Sequence, residues 1–277
     1  MYSLLKSLFE FPYLNQRKYS RMSYYNLPVA EREKLYEQME KLIAGDLSSG
    51  NDVHIRQYAS DSDTYIRKNC YLILSRLYAT DDQNRKIILS VMDSLSRSED
   101  EKIRQTAVYT LGEIGKKDFN AVESRLDIFL KDTHHSVKNG LTGAIKQMGE
   151  KNPEPVIKWA KTKLKSCDPE MRLKILHGLE LRGRTHPEDI LPLIKDFLHD
   201  KIDKKTKKML IHIIGQISYK KGCIEKVAIE LKTWDDKEFV AECIQEIIEV
   251  HKNYEKFSVL NSKEAEEYLY KSIKISA

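Results

Sequence analysis

The sequence predicts an all-α fold, a right-handed α-solenoid of about six helical hairpins closed by helical caps. Three observations predict it. A helix-spaced apolar pattern recurs six times, a shorter amphipathic segment separates successive copies, and 277 residues include only 11 Gly and 7 Pro. Hydrophobic residues at 41% and charged residues at 32% exclude collagen-like, mucin-like and wholly disordered chains.

Taken in order, the first element is a helix over residues 29–44, with Leu35, Met39, Leu42 and Ile43 apolar. Gly45 and the cluster Ser48, Ser49, Gly50, Asn51 end it. Ahead of it, residues 17–25 interleave Arg17, Lys18 and Arg21 with Tyr19, Tyr24 and Tyr25. Two readings stand: the rings stack on bases while the cations take phosphates, or the tyrosines cover the exposed first repeat.

The repeat follows. Each copy starts on one residue, places a basic residue next, and returns to an apolar residue at +4, +8 and +11. Copies start at Ile66, Ile103, Val137, Met171, Thr206 and Phe239, spaced 37, 34, 34, 35 and 33 residues apart. The first contains Arg67, Cys70, Leu74 and Leu77; the second Arg104, Ala107, Leu111 and Ile114; the third Lys138, Leu141, Ile145 and Met148. In the fourth copy +11 is the charged Arg182, and in the last Val240 replaces the cation. These spacings place the apolar set on one helical stripe. Three residues before each start stand Asp63, Asp100, His134, Asp168, Asp203 and Asp236. Such residues cap helices, and the cation four positions later lies within pairing reach of the cap, so the two series read as structural, capping helices and pairing between repeats.

Between copies come Ile87, Val91 and Leu95; Val122, Leu126 and Phe129; Val156, Ala160 and Leu164; Ile190, Ile194 and Phe197; and Ile224, Val227 and Leu231. Pro153 and Pro187 sit near helix starts, where proline is tolerated. A final helix opens at Asn261 with Glu264 in capping-box spacing and runs through Lys274. No Gly/Ser- or Pro-rich linker divides the interior. The expected organisation is a cap over residues 1–51, a repeat array over 52–252 and a capping helix over 253–277.

The Asp-x-x-apolar-Arg/Lys starts, and the ending Leu111-Gly112-Glu113-Ile114-Gly115 with Gly149 and Gly183 in the place of Gly115, resemble HEAT repeats. The resemblance implies that second helices line a concave face, where the +6 residues Leu72, Tyr109, Gly143, His177, His212 and Gln245 would point. The stretch from Lys146 to Glu154 is similar to HEAT-like proteins associated with DNA alkylation repair. That similarity implies a face holding duplex DNA and, in some members, an alkylpurine DNA glycosylase. Those enzymes use Trp and Asp on the concave face. Here Trp234 falls in a turn and Trp159 on a first helix, so the set does not carry over. Glu113 and Tyr109, one turn apart, are the substitutes this sequence offers.

The expected function is a non-catalytic binding module for duplex DNA or a protein partner, with the glycosylase as the alternative. Candidate binding residues are Lys116, Lys151, His177, Arg182, Arg184, His212 and Lys220, with Lys252 at a further helix end. Arg182 breaks the apolar pattern, which points either to function or to an Arg–carboxylate bridge, for instance with Glu180. The run Lys201, Lys204, Lys205, Lys207, Lys208 reads as a solvated turn. A net charge of +5 is too mild to decide on nucleic acid.

No phosphate-loop, dinucleotide or nucleophile-elbow motif is present. No cofactor or metal is expected. His177 and His212 sit at equivalent sites without a third ligand, and Cys70, Cys167, Cys223 and Cys243 read as buried thiols. Residues 1–11 are interrupted by Lys6 and Glu10, and no apolar run reaches eighteen residues. A cytoplasmic protein without membrane contact is therefore expected.

Overall fold

The computed structural model describes residues 23–198 and 202–273, which contain fourteen α-helices and no strand. Residues 17–22, Lys201 and Lys274 lie outside the described residues, as does the side chain of Phe197. The fold is all-α and built from helical hairpins. Two compact units divide it, Met1–Thr110 and Leu111–Ala277.

The first unit holds α1 (Val29–Ser49), α2 (Val53–Ala59), α3 (Thr64–Tyr78), α4 (Asp82–Leu95) and the opening of α5 (Glu101–Gly115). Helix α1 runs five residues past the expected end at Ala44, straight through Gly45. An interior glycine costs a helix about 1 kcal/mol. Burial of Leu47 in the last turns, with the hydrogen bonds that Asp46 makes to the next helix, offsets that loss. The stop is Gly50, whose φ of 70° lies in the left-handed region. Buried Asp46 then caps the next helix, accepting the amides of His54 at 2.7 Å and Ile55 at 3.0 Å.

In α4 the expected stripe of Ile87, Val91 and Leu95 is displaced. Ile88, Met92 and Leu95 are fully buried instead, with Ile87 and Val91 only partly covered. Both stripes have helical spacing, and packing against the neighbours selects between them. At the start of the unit, Asp63 accepts the Tyr24 amide at 2.6 Å, and the rings of Tyr24 and Tyr25 lie against Tyr65. Those two tyrosines therefore cover part of the first hairpin.

The second unit continues α5 and adds α6 (Phe119–Leu126), α7 (His135–Lys151), α8 (Pro153–Ser166), α9 (Pro169–Gly183), α10 (Pro187–Leu198) and α11 (Lys204–Gln216). Helices α12 (Cys223–Leu231), α13 (Lys237–Asn253) and α14 (Ser262–Ile273) complete it. Phe129 is buried but belongs to a separate 3₁₀ turn after α6 ends. Lys204, Lys205, Lys207 and Lys208 lie within α11 rather than in a turn, because Asp203 caps the helix just before them. At α14 the capping box forms reciprocally. The Asn261 amide reaches Glu264 at 2.9 Å, and the Glu264 amide reaches Asn261 at 3.0 Å.

All six expected caps accept amides of their own helices. The distances are 2.8 Å at Asp63, 2.7 Å at Asp100, 3.4 Å at His134, 3.0 Å at Asp168, 2.8 Å at Asp203 and 2.9 Å at Asp236. The cation four residues on is structural in two ways. Arg67 donates to the carbonyls of Asp61 and Ser62, and Arg104 to those of Ser98 and Glu99. Each guanidinium thus ties down the turn that feeds its helix. Lys138 and Lys207 make the expected pairing between repeats, reaching Glu170 and Glu242 of the following one at 2.7 and 2.6 Å.

Second helices approach one another closely at glycine. A Cβ on Gly112 would lie 2.7 Å from that of Ala144, and one on Gly178 would lie 2.6 Å from Cγ2 of Ile145. Within the second unit these contacts hold α7 closely against α5 and α9.

Candidate binding surface

Each second helix buries the apolar stripe and leaves a polar flank. The +6 residues Leu72, Tyr109, Gly143, His177, His212 and Gln245 all lie on that partly or fully exposed side. Within the second unit the flank of α7, α9 and α11 carries a continuous polar chain. Its centre is Glu180, only 2% exposed. Arg184 donates through Nη2 to Glu180 at 2.6 Å and to Gln216 at 3.0 Å. His177 Nδ1 lies 2.9 Å from the other Glu180 oxygen, and its Nε2 lies 3.0 Å from Lys146 Nζ. A neutral imidazole with its proton on Nδ1 satisfies both contacts, donating to the carboxylate and accepting from the ammonium. Burial of a carboxylate requires such partners, and Glu180 has two.

The other candidates are similarly engaged. Arg182, where the apolar pattern breaks, donates through Nε to Asp189 at 2.7 Å. The partner of Glu180 is therefore Arg184 rather than Arg182. His212 lies 3.4 Å from Glu246. Lys116 contacts both oxygens of Glu113 at 2.7 Å. Tyr109, in the first unit, rests 5.3 Å from the ring of Tyr71, and burial raises its phenol pKa.

Lys151 and Lys220 differ. Both are exposed: Lys151 ends α7, while Lys220 and Lys221, also exposed, lie in the connection between α11 and α12; Lys117, just past α5, and Lys252, in the last turn of α13, are exposed as well. Lys151 and Lys252, in the last turns of α7 and α13, complement the helix dipole. The five ammonium groups stand at the ends of α7 and α13 and on the connections that follow α5 and α11. Lys151, Lys220 and Lys252 are among the residues expected from the sequence; Lys117 and Lys221 are not, although each directly follows an expected lysine.

Neither tryptophan is available to a ligand: Trp159 is 2% exposed and Trp234 1%. Cys70, Cys223 and Cys243 are buried, and burial pushes the Cys70 thiol up to about 12. Cys167 departs from the expectation by being only partly covered, because it follows the last residue of α8. Among the described residues no group of three His, Cys, Asp or Glu side chains is placed to hold a metal. No helix among them is long and apolar enough to cross a membrane.

Capped hairpins at a period of 33–37 residues, stacked second helix on second helix, define an all-α HEAT-like repeat protein. Residues 47–179, a little under half the chain, match the model of the family described as Cnd1, non-SMC mitotic condensation complex subunit 1. No curated protein matches. Among solved structures the chain is similar to AlkD2 from Streptococcus mutans at 20% identity and a TM-score of 0.49, over 80% of this chain and 100% of that one. The smu.31 protein of Streptococcus mutans UA159 gives 20% and 0.49, over 70% and 97%. An archaeal HEAT-like repeats protein from Thermococcus onnurineus NA1 gives 18% and 0.40, over 80% and 98%.

Proposed function

We propose that this chain is a non-catalytic binding module, and that the lysine-bearing helix ends of its second unit take a polyanion, duplex DNA being the partner of that kind. The observation that carries the reading is the set Lys117, Lys151, Lys220, Lys221 and Lys252, all exposed at second-helix ends or on the connections that follow them. Phosphate contacts need projecting cations and little else, since they position a duplex without reading its sequence. His177, Arg182, Arg184 and His212 then serve to hold the flank rigid, as their intramolecular partners suggest. A base-excising activity has no comparable support, with both tryptophans buried and Glu113 held by Lys116.

The test is binding of a labelled duplex followed by anisotropy across a salt series. Affinity is expected to fall log-linearly, by about 0.9 log units per log unit of salt for each phosphate neutralised. The triple variant Lys151→Ala/Lys220→Ala/Lys221→Ala should flatten that slope and leave the melting temperature unchanged. Absence of binding at the lowest salt would sink the DNA reading and leave a module for a protein partner.

A further inference from the structure

The turn between α13 and α14 exposes three large apolar side chains within six residues: Tyr254, Phe257 and Val259, with Phe257 at 73%. Scattered exposed apolar residues need no explanation, but a rigidly held group does. This turn is held. The amides of Phe257 and Ser258 both donate to the Tyr254 carbonyl, at 2.7 and 2.9 Å. The Tyr254 ring stacks on Tyr219 with centroids 5.5 Å apart, and the Val259 amide donates to the Tyr219 carbonyl at 3.2 Å. The turn is thereby fastened to the connection between α11 and α12, and the ring of Phe257 projects from it.

The two connections joined at this turn are rich in cations. Lys220 and Lys221 follow Tyr219 directly, Lys252 lies in the last turn of α13, and Lys256 adjoins Phe257; all four are exposed. Against them stand Glu255 and Glu249, the latter 3.8 Å from Lys252. A projecting aromatic face in a cationic setting matches a ligand that joins flat apolar faces to negative charge, which is a nucleobase on its phosphate backbone.

We infer that Phe257 is a base-stacking element, and that the DNA this surface takes carries an unpaired base beside a duplex. An intact duplex buries its base faces in its own stack, so the ring finds a partner only where the stack is open. The inference rests on the polyanion reading above. Lysines at the helix ends hold the duplex phosphates, and Phe257 receives the first unpaired base.

The test compares a blunt duplex with the same duplex bearing a short single-stranded overhang, 2-aminopurine being its first unpaired base. Wild type is expected to bind the overhang DNA roughly 5- to 20-fold more tightly, with a change in 2-aminopurine fluorescence. Phe257→Ala should abolish both the preference and the fluorescence change while keeping the salt slope, and Phe257→Trp should retain them. Equal binding of both DNAs without a fluorescence change, or unaltered behaviour of Phe257→Ala, overturns the inference and leaves the polyanion reading standing. No binding of either DNA removes both. If Phe257→Ala loses only co-sedimentation with phosphatidylserine vesicles, the ring serves a lipid surface and the inference fails.

Discussion

Two regions of the second unit carry cations of the same kind and use them differently. On the flank of α7, α9 and α11, Lys146, Arg182 and Arg184 lie within 2.6–3.0 Å of protein partners. At the helix ends Lys151, Lys220 and Lys221 stand in solvent. The difference teaches that a basic residue in a sequence is not yet a basic residue on a surface. Side chains on the flank are spent on one buried carboxylate and its neighbours, whereas the ends have no buried acid to satisfy.

The contrast breaks most readily at Arg184. Arg184→Ala strands Glu180 with only His177 beside it and is expected to lower stability by about 3 kcal/mol. Urea denaturation measures this, and a loss under about 1 kcal/mol would show that the flank is no more committed than the ends. The next effect is smaller. Gly178→Ala forces a methyl into Ile145 and should cost about 2 kcal/mol by the same measurement. Wild-type stability in that variant would mean that the flank is not held by close helix approach.

The smallest effect separates two neighbours in sequence. His251 is 1% exposed and Lys252 is exposed. Burial lowers the His251 pKa from its ordinary 6.5. The unfolded chain therefore takes up a proton there at a higher pH than the folded one. Stability from this group is complete above about pH 6.5 and is lost as the pH falls below it. Melting temperatures between pH 7.5 and 5.5 should fall less steeply in His251→Leu than in wild type. Equal slopes would contradict the assignment.

Much of the fold was legible because it repeats. Six caps and their buried stripes recur at a fixed offset, and a periodic signal survives local noise. Where one helix offered two stripes, as with Ile87 and Ile88 in α4, sequence could not choose between them, since the choice belongs to the packing partner. Gly45 looked like a stop because the burial of Leu47 and Asp46 beyond it has no local signature. The surface was less legible. Pairing of Arg184 with Glu180 follows helical spacing, but its contact with Gln216 depends on how adjacent repeats are stacked. Phe257 lies outside every period, and nothing in its neighbours announces that the turn holds it outward.

The glycine contacts have a consequence for how this chain can change by deletion. Gly178 stands seven residues past its copy start and accepts Ile145 of the preceding repeat. The residue at the same register in the next copy is Ile213. Excising one period between them would set Ile213 against Ile145, two branched side chains where the present junction has room for one. The copies are periodic as text but not exchangeable as parts. Lineages that lengthen or shorten this array must alter a junction together with the repeat.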